Sequence, residues 1–174
     1  MSKYVAMIDL ETTGTTAKTG ILSIGACVFD DELNTFSVQY RFYTTILLDG
    51  QVGREITHDT LWWWMQQSEE ARSVFNPYGG LHLKEALLRL SDVFHPKYCI
   101  REVWSNGADF DVAILQHAYG EANIPVPWSY KMTRCFRTVK ELFPNVAKPE
   151  FKGVQHNALS DAIHQAEWLH KIHL

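Results

Sequence analysis

The chain has 174 residues, 46% of them apolar and 21% charged, a balance that fits one globular domain over residues 1–174 and excludes a disordered or fibrous protein. Its 16 Lys and Arg against 20 Asp and Glu leave a formal charge of −4, which excludes a polycation that coats nucleic acid through its overall field and leaves only a local basic patch. Cys27, Cys99 and Cys135 are scattered without the spacing of a zinc site or a disulfide framework, so a reducing, cytoplasmic setting is expected.

The N-terminal "MSKYVAMIDLE" turns acidic too soon for a signal peptide, and the longest apolar run, "ILSIGACVF", is far too short to cross a membrane. "YVAMIDLE" has the short apolar run of a buried strand, and "GILSIGACVFD" predicts a second. In "TFSVQYRFYTTILL", Phe36, Val38, Tyr40 and Phe42 alternate with polar residues, the period of a half-exposed strand. Short connections between the three imply an antiparallel meander. "THDTLWWWMQQSEEARSVF" predicts a helix capped by Thr57 or Asp59, and "LHLKEALLRLSDVF" another, with Leu83, Ala86, Leu87, Leu90 and Phe94 on one face. "KYCIREVWS" reads as a strand, "DFDVAILQHAYGEA" as a helix, "SYKMTRC" as a short strand and "RTVKELF" as a helix. The terminal "NALSDAIHQAEWLHKI" predicts a helix with Asn157 as its cap. The fold class is therefore α/β, a mixed sheet of five or six strands with helices on both faces.

The first strand ends in acids. Residues two apart on a strand share a face, with Cα atoms about 6.5–7 Å apart, so Asp9 and Glu11 project together. Paired carboxylates repel unless a cation lies between them, and oxygen-rich clusters suit Mg²⁺ or Mn²⁺. If Asn157 caps the last helix, His156 and Asp161 occupy the two positions that face each other in a hydrophobic staple, here filled by an imidazole and a carboxylate. That choice is poor for packing and good for holding a base beside a metal ligand. "VWSNGADFDVAIL" adds a turn-rich junction with two further acids, Asp109 and Asp111, either able to cap or charge a helix start.

Together "MIDLETTG", "SNGADFD" and "HNALSDA" resemble the three motifs of the DEDDh 3′–5′ exonucleases, in that family's order, and they frame most of the chain. "TLWWWMQQSEEAR" is similar to a signature of the phage and prophage exonuclease VIII-like proteins and their exoribonuclease relatives, with Trp63 and Trp64 matching its tryptophan pair. The resemblance implies a ribonuclease H-like fold. It also implies metal-dependent hydrolysis of single-stranded RNA or DNA from the 3′ end, releasing nucleoside 5′-monophosphates. Asp9, Glu11, Asp111 and Asp161 would hold two divalent cations, Mg²⁺ or Mn²⁺, and His156 would be the general base. The second motif is one residue longer than the family's common form. Asp111 is chosen as its acid because it follows Phe110, leaving Asp109 as the cap. Oligomeric state stays open, a homodimer being common among relatives.

Thr12, Thr13 and Gly14 offer hydroxyls and amides to a terminal nucleotide, or else make a simple turn. Trp62, Trp63 and Trp64 span about 200° of a helix and cannot all face one core, so one is expected at a cleft where bases stack. Arg72 reads as a phosphate contact or equally as a surface salt bridge, and Asn106 as orienting a sugar or the motif loop or equally as an ordinary turn residue. Lys131, Arg134, Arg137 and Lys140 recur every third residue and read as a basic edge or a solvated face. His164, His170 and His173 read as surface or rim residues.

Overall fold

Five strands form one sheet in the order β3-β2-β1-β4-β5 in the computed structural model, which describes residues 4–174 and leaves Met1, Ser2 and Lys3, the start of the segment read against a signal peptide, outside. β1 (Tyr4–Thr12), β2 (Ile21–Asp30) and β3 (Val38–Thr45) make the antiparallel meander expected from the sequence. β4 (Glu102–Ser105) returns parallel to β1, and β5 (Thr133–Cys135) parallel to β4. β1 is thus central. β2 is buried at every position because helices cover both its faces, whereas the edge strand β3 keeps its alternation, with Gln39, Arg41 and Tyr43 turned to solvent.

The pleat of β1 divides its side chains between two layers. Ala6, Ile8 and Leu10 face α3 (Leu83–Ser91) and α4 (Ala113–Glu121), meeting Leu87, Leu90, Leu115 and Ala118. Val5 and Met7 face the other way, onto Ala162, Ala166 and Leu169 of α6 (Ala158–His173) and Phe136 of α5 (Phe136–Leu142). Each buried Val, Leu, Ile, Met or Phe side chain among these contributes about 1.5–3 kcal/mol relative to exposure. Asp9 and Glu11 continue the α6-facing row. Gly25 stands opposite Asp9 in the β1–β2 register, and a Cβ there would collide with the backbone of Ala158 and Leu159. The glycine and the small residues Ala158, Ala162 and Ala166 let α6 lie directly on the sheet.

Several boundaries differ from the sequence reading. The single helix expected over residues 57–75 is broken: α1 (His58–Met65) ends, Ser68 caps α2 (Glu69–Arg72) by accepting the Ala71 amide at 3.2 Å, and Ser73–Phe75 is a 3₁₀ turn. β4 starts only at Glu102, because Pro96–Tyr98 makes a 3₁₀ turn and Cys99 takes a left-handed backbone with φ of 45°. A π-helical turn, Ala108–Val112, precedes α4, led by Gly107 and not by the expected Asp109 cap. Among the described residues no helix is long and apolar enough to cross a membrane.

Candidate active site

The acids meet where β1 ends beneath the start of α6. One carboxylate oxygen each from Asp9, Glu11 and Asp161 lie within 4.8 Å of one another. Two features of α6 make this possible. Asn157 caps it, its Oδ1 accepting the Ser160 amide at 3.1 Å, which sets the helix phase and turns Asp161 toward β1. One turn further on, Gln165 donates from Nε2 to Asp9 Oδ1 at 2.7 Å and fixes that carboxylate. The buried Asp161 Oδ2 has no hydrogen-bond partner, an orphaned acceptor on a carboxylate that belongs to the oxygen cluster.

Asp111 stands beside this group without joining the close triple. It is buried, and its Oδ1 and Oδ2 accept the amides of Leu10 at 3.2 Å and Gly107 at 3.5 Å. Asp109 is exposed on the same turn. Burial, and then the neighbouring charges of Asp161 and Asp111, push Glu11 up to about 8. Burial raises Asp111 to about 7 despite the amides of Gly107 and Leu10 that favour its ionised form. Asp9 is raised well above the carboxylate range by burial and by Asp111, Glu11 and Asp161, with Gln165 pulling the other way. Asp161 is raised by burial and restrained by His156, by the amides of His156 and Asn157, and by Lys148. Four acids that cannot all ionise together, one with an unpartnered oxygen, fit a site for hard divalent cations.

His156 precedes the cap with φ of +61°, a left-handed conformation costing a residue with a side chain roughly 1–2 kcal/mol. Its imidazole packs edge-on against Trp63 at 4.8 Å and Trp64 at 6.3 Å between ring centroids. The three tryptophans part company. Trp64 is buried and its indole N–H donates to Thr12 O at 2.8 Å, bracing the end of β1. Trp63 is 41% exposed and lines a cleft of about 360 Å³ with Leu10, Glu11, Thr12, Gly14 and Phe110. Trp62 is turned outward. A larger hollow of about 590 Å³ flanks β3, lined by Tyr40, Phe42 and Arg89, and none of the acids reaches it.

The remaining expected contacts are divided. Thr12 and Gly14 line the cleft, but Thr12 is buried with its hydroxyl donated to Gly14 O at 2.8 Å, and Thr13 is buried and spends its hydroxyl on Glu55 O at 2.9 Å. Arg72 donates to Met65 O at 3.3 Å, tying α2 to the end of α1, and does not line the cleft. Asn106 accepts Lys140 Nζ at 3.1 Å on Oδ1, joining the motif loop to α5. His164 and His170 are buried, contrary to the rim position expected, because α6 is covered by more than the sheet: Phe151 packs on His164 and Phe36 on His170. Sequence reasoning passed over Gly25 and Gln165. The Gln165 signal was available, since it lies four residues after Asp161 on one helix face.

The five-stranded sheet with β1 at its centre has the ribonuclease H-like fold, and the acids that converge at the end of β1 make a candidate nuclease site. The chain belongs to the Rv2179c-like 3′-5′ exoribonuclease domain family, whose model matches residues 4–173, and it is a 3′–5′ exonuclease. Solved structures with the same fold include the nuclease domain of 3′hExo, a DEDDh family member bound to rAMP, with a TM-score of 0.69 at 12% identity over 97% of this chain and 90% of that one. The Mg²⁺- and Mn²⁺-bound form of S. pombe Pop2p gives a TM-score of 0.63 at 14% identity over 97% and 82%. A full-length 3′-exonuclease gives 0.65 at 10% identity, where this chain spans 97% of itself but only 60% of the other. No curated protein sequence matches the chain.

Proposed function

We propose that this protein removes nucleotides one at a time from the 3′ ends of single-stranded nucleic acid, with RNA the favoured substrate, releasing nucleoside 5′-monophosphates. The observation that carries the reading is the meeting of Asp9, Glu11 and Asp161 within 4.8 Å, with His156 in the turn just before the α6 helix that supplies Asp161. Asp9, Glu11 and Asp161, with Asp111 behind them, would hold two Mg²⁺ or Mn²⁺ ions. Such ions, when bound, supply the positive charge that lets a nucleophile approach an anionic phosphodiester.

The chain's own residues divide the rest of the work. Gln165 keeps the Asp9 carboxylate turned into the cluster. His156 takes the proton from the attacking water, its ring braced edge-on by Trp63. The cleft beside Glu11 has the volume of a nucleoside site, and the half-exposed face of Trp63 offers a stacking surface for the terminal base. Support for RNA comes from the family's description as exoribonuclease, and support for the ions from the neighbour that binds Mg²⁺ and Mn²⁺.

A time course on 5′-labelled single-stranded RNA and DNA of the same sequence tests the proposal. The expected result is stepwise shortening from the 3′ end, faster on RNA, abolished by chelator, and slowed about 10²–10⁴-fold in His156→Ala while Mn²⁺ binding is retained. An undiminished rate in His156→Ala would remove the imidazole from the mechanism.

A further inference from the structure

We propose that Arg137 grips the phosphate immediately 5′ of the bond being cut, on a seat that the one surplus residue of "SNGADFD" creates. The inference rests on the nuclease reading above. The surplus residue is absorbed as the π-helical turn Ala108–Val112, a form that inserted residues take at functional sites. Gly107 leads this turn with φ of −135°, which any residue adopts, so backbone freedom does not explain the glycine. Its missing side chain does. A Cβ there would lie 2.8 Å from Arg137 Nη2 and 3.2 Å from Asp109 Oδ1, so the guanidinium rests across the loop in the space a side chain would fill. The amide of the same glycine faces Asp111 Oδ2 at 3.5 Å, which puts the cation at the rim of the acid cluster.

Two others of the basic row, Arg134 and Lys140, are already committed, and the Lys131 ammonium lies 6.0 Å from the centre of the Tyr130 ring. Arg134 donates to Lys131 O and Thr133 O and pairs with Glu102 at 3.6 Å. Lys140 is held by Asn106 and lies over the rings of Phe136 and Trp168. The Arg137 amide donates to Asn106 O at 3.0 Å and anchors its helix to the loop, while its exposed guanidinium makes no hydrogen bond or ion pair among the described residues. A polyanion approaching four acids needs counter-charge beyond the scissile phosphate. Phe110 of the second-motif loop lines the cleft beside Trp63, so a strand whose terminal nucleoside sits there can leave along that loop, where the planar guanidinium would meet the next phosphate with two parallel donors.

The test uses a short single-stranded RNA in which only the linkage 5′ of the scissile bond is replaced by a neutral methylphosphonate, and reads initial release of the 3′-terminal nucleotide. Wild type should show KM raised about tenfold on the neutral linkage with kcat little changed. Arg137→Ala should show the same rise on unmodified RNA and no further penalty on the neutral linkage, and Arg137→Lys should recover part of the loss. Gly107→Ala meets only the side-chain ends of Arg137 and the exposed Asp109, so it should keep the wild-type melting temperature and raise KM by an intermediate factor. A wild type indifferent to the neutral linkage, or an Arg137→Ala variant that still suffers its full penalty, overturns the proposal and leaves the nuclease reading intact. Failure of wild type to release any nucleotide overturns both.

Discussion

Raising pH in the metal-free protein should destabilise it, and divalent cations should reverse the loss. Glu11 titrates at about 8 in the folded chain against an ordinary 4.5, because it is buried and faces Asp161 and Asp111. The folded state therefore binds this proton more tightly than the unfolded state. The stability so contributed is complete below about pH 4.5 and is lost progressively as pH rises to about 8. That interval, at about 1.4 kcal/mol per pH unit, bounds the Glu11 contribution at about 5 kcal/mol. Loss of even about 2 kcal/mol lowers the melting temperature of a chain this long by roughly 4–8 °C. Mn²⁺ requires ionised ligands, so at pH 8 it should restore about 2–3 kcal/mol at a hundredfold excess over Kd and add little at pH 5. Circular-dichroism melts in chelator and in Mn²⁺ across this range, with Glu11→Gln beside wild type, measure both effects. Glu11→Gln should flatten the metal-free slope. A metal-free melting temperature that stays level or rises from pH 5 to 8, or an equal Mn²⁺ increment at both ends, would refute the reasoning.

Gly25→Ala should push the start of α6 off the sheet, costing about 1–3 kcal/mol and separating Asp161 from Asp9 and Glu11, so Mn²⁺ affinity should fall with stability in the same melts. Gln165→Leu should weaken Mn²⁺ binding about 10–100-fold, read by calorimetry, because Asp9 loses the donor that orients it. The tryptophans should separate by assay. Trp64→Phe leaves the Thr12 carbonyl without its donor and costs about 1–3 kcal/mol in urea unfolding, whereas Trp63→Ala raises KM by more than it lowers stability.

Much of the site was legible in the chain because it depends on local geometry. The alternation of a strand puts Asp9 and Glu11 on one face, and Asn157 as a cap puts His156 and Asp161 together; both relations involve residues within six positions of each other. Relations across the sheet were not legible. Gly25 matters only because it pairs with Asp9 and lies under Ala158, facts that need the strand register and the docking of α6. Trp64 reaches Thr12 across 52 residues, and no periodicity along α1 distinguishes it from Trp63. The break between α1 and α2 was hidden because apolar spacing continues through Ser68, whose side chain nonetheless stops one helix and starts the next. On α6, a helix covered by loops as well as by the sheet, the polar residues His164 and His170 lie inside a pattern that reads as amphipathic.

The most direct measurement is the first product from an RNA carrying its label in the 3′-terminal nucleotide, followed through one turnover with Mn²⁺ and the protein in excess. Attack at the chain end predicts that label first emerges as a nucleoside 5′-monophosphate and that Asp9→Asn or chelator prevents it. Label emerging first in longer fragments would show cutting within the strand and contradict the account.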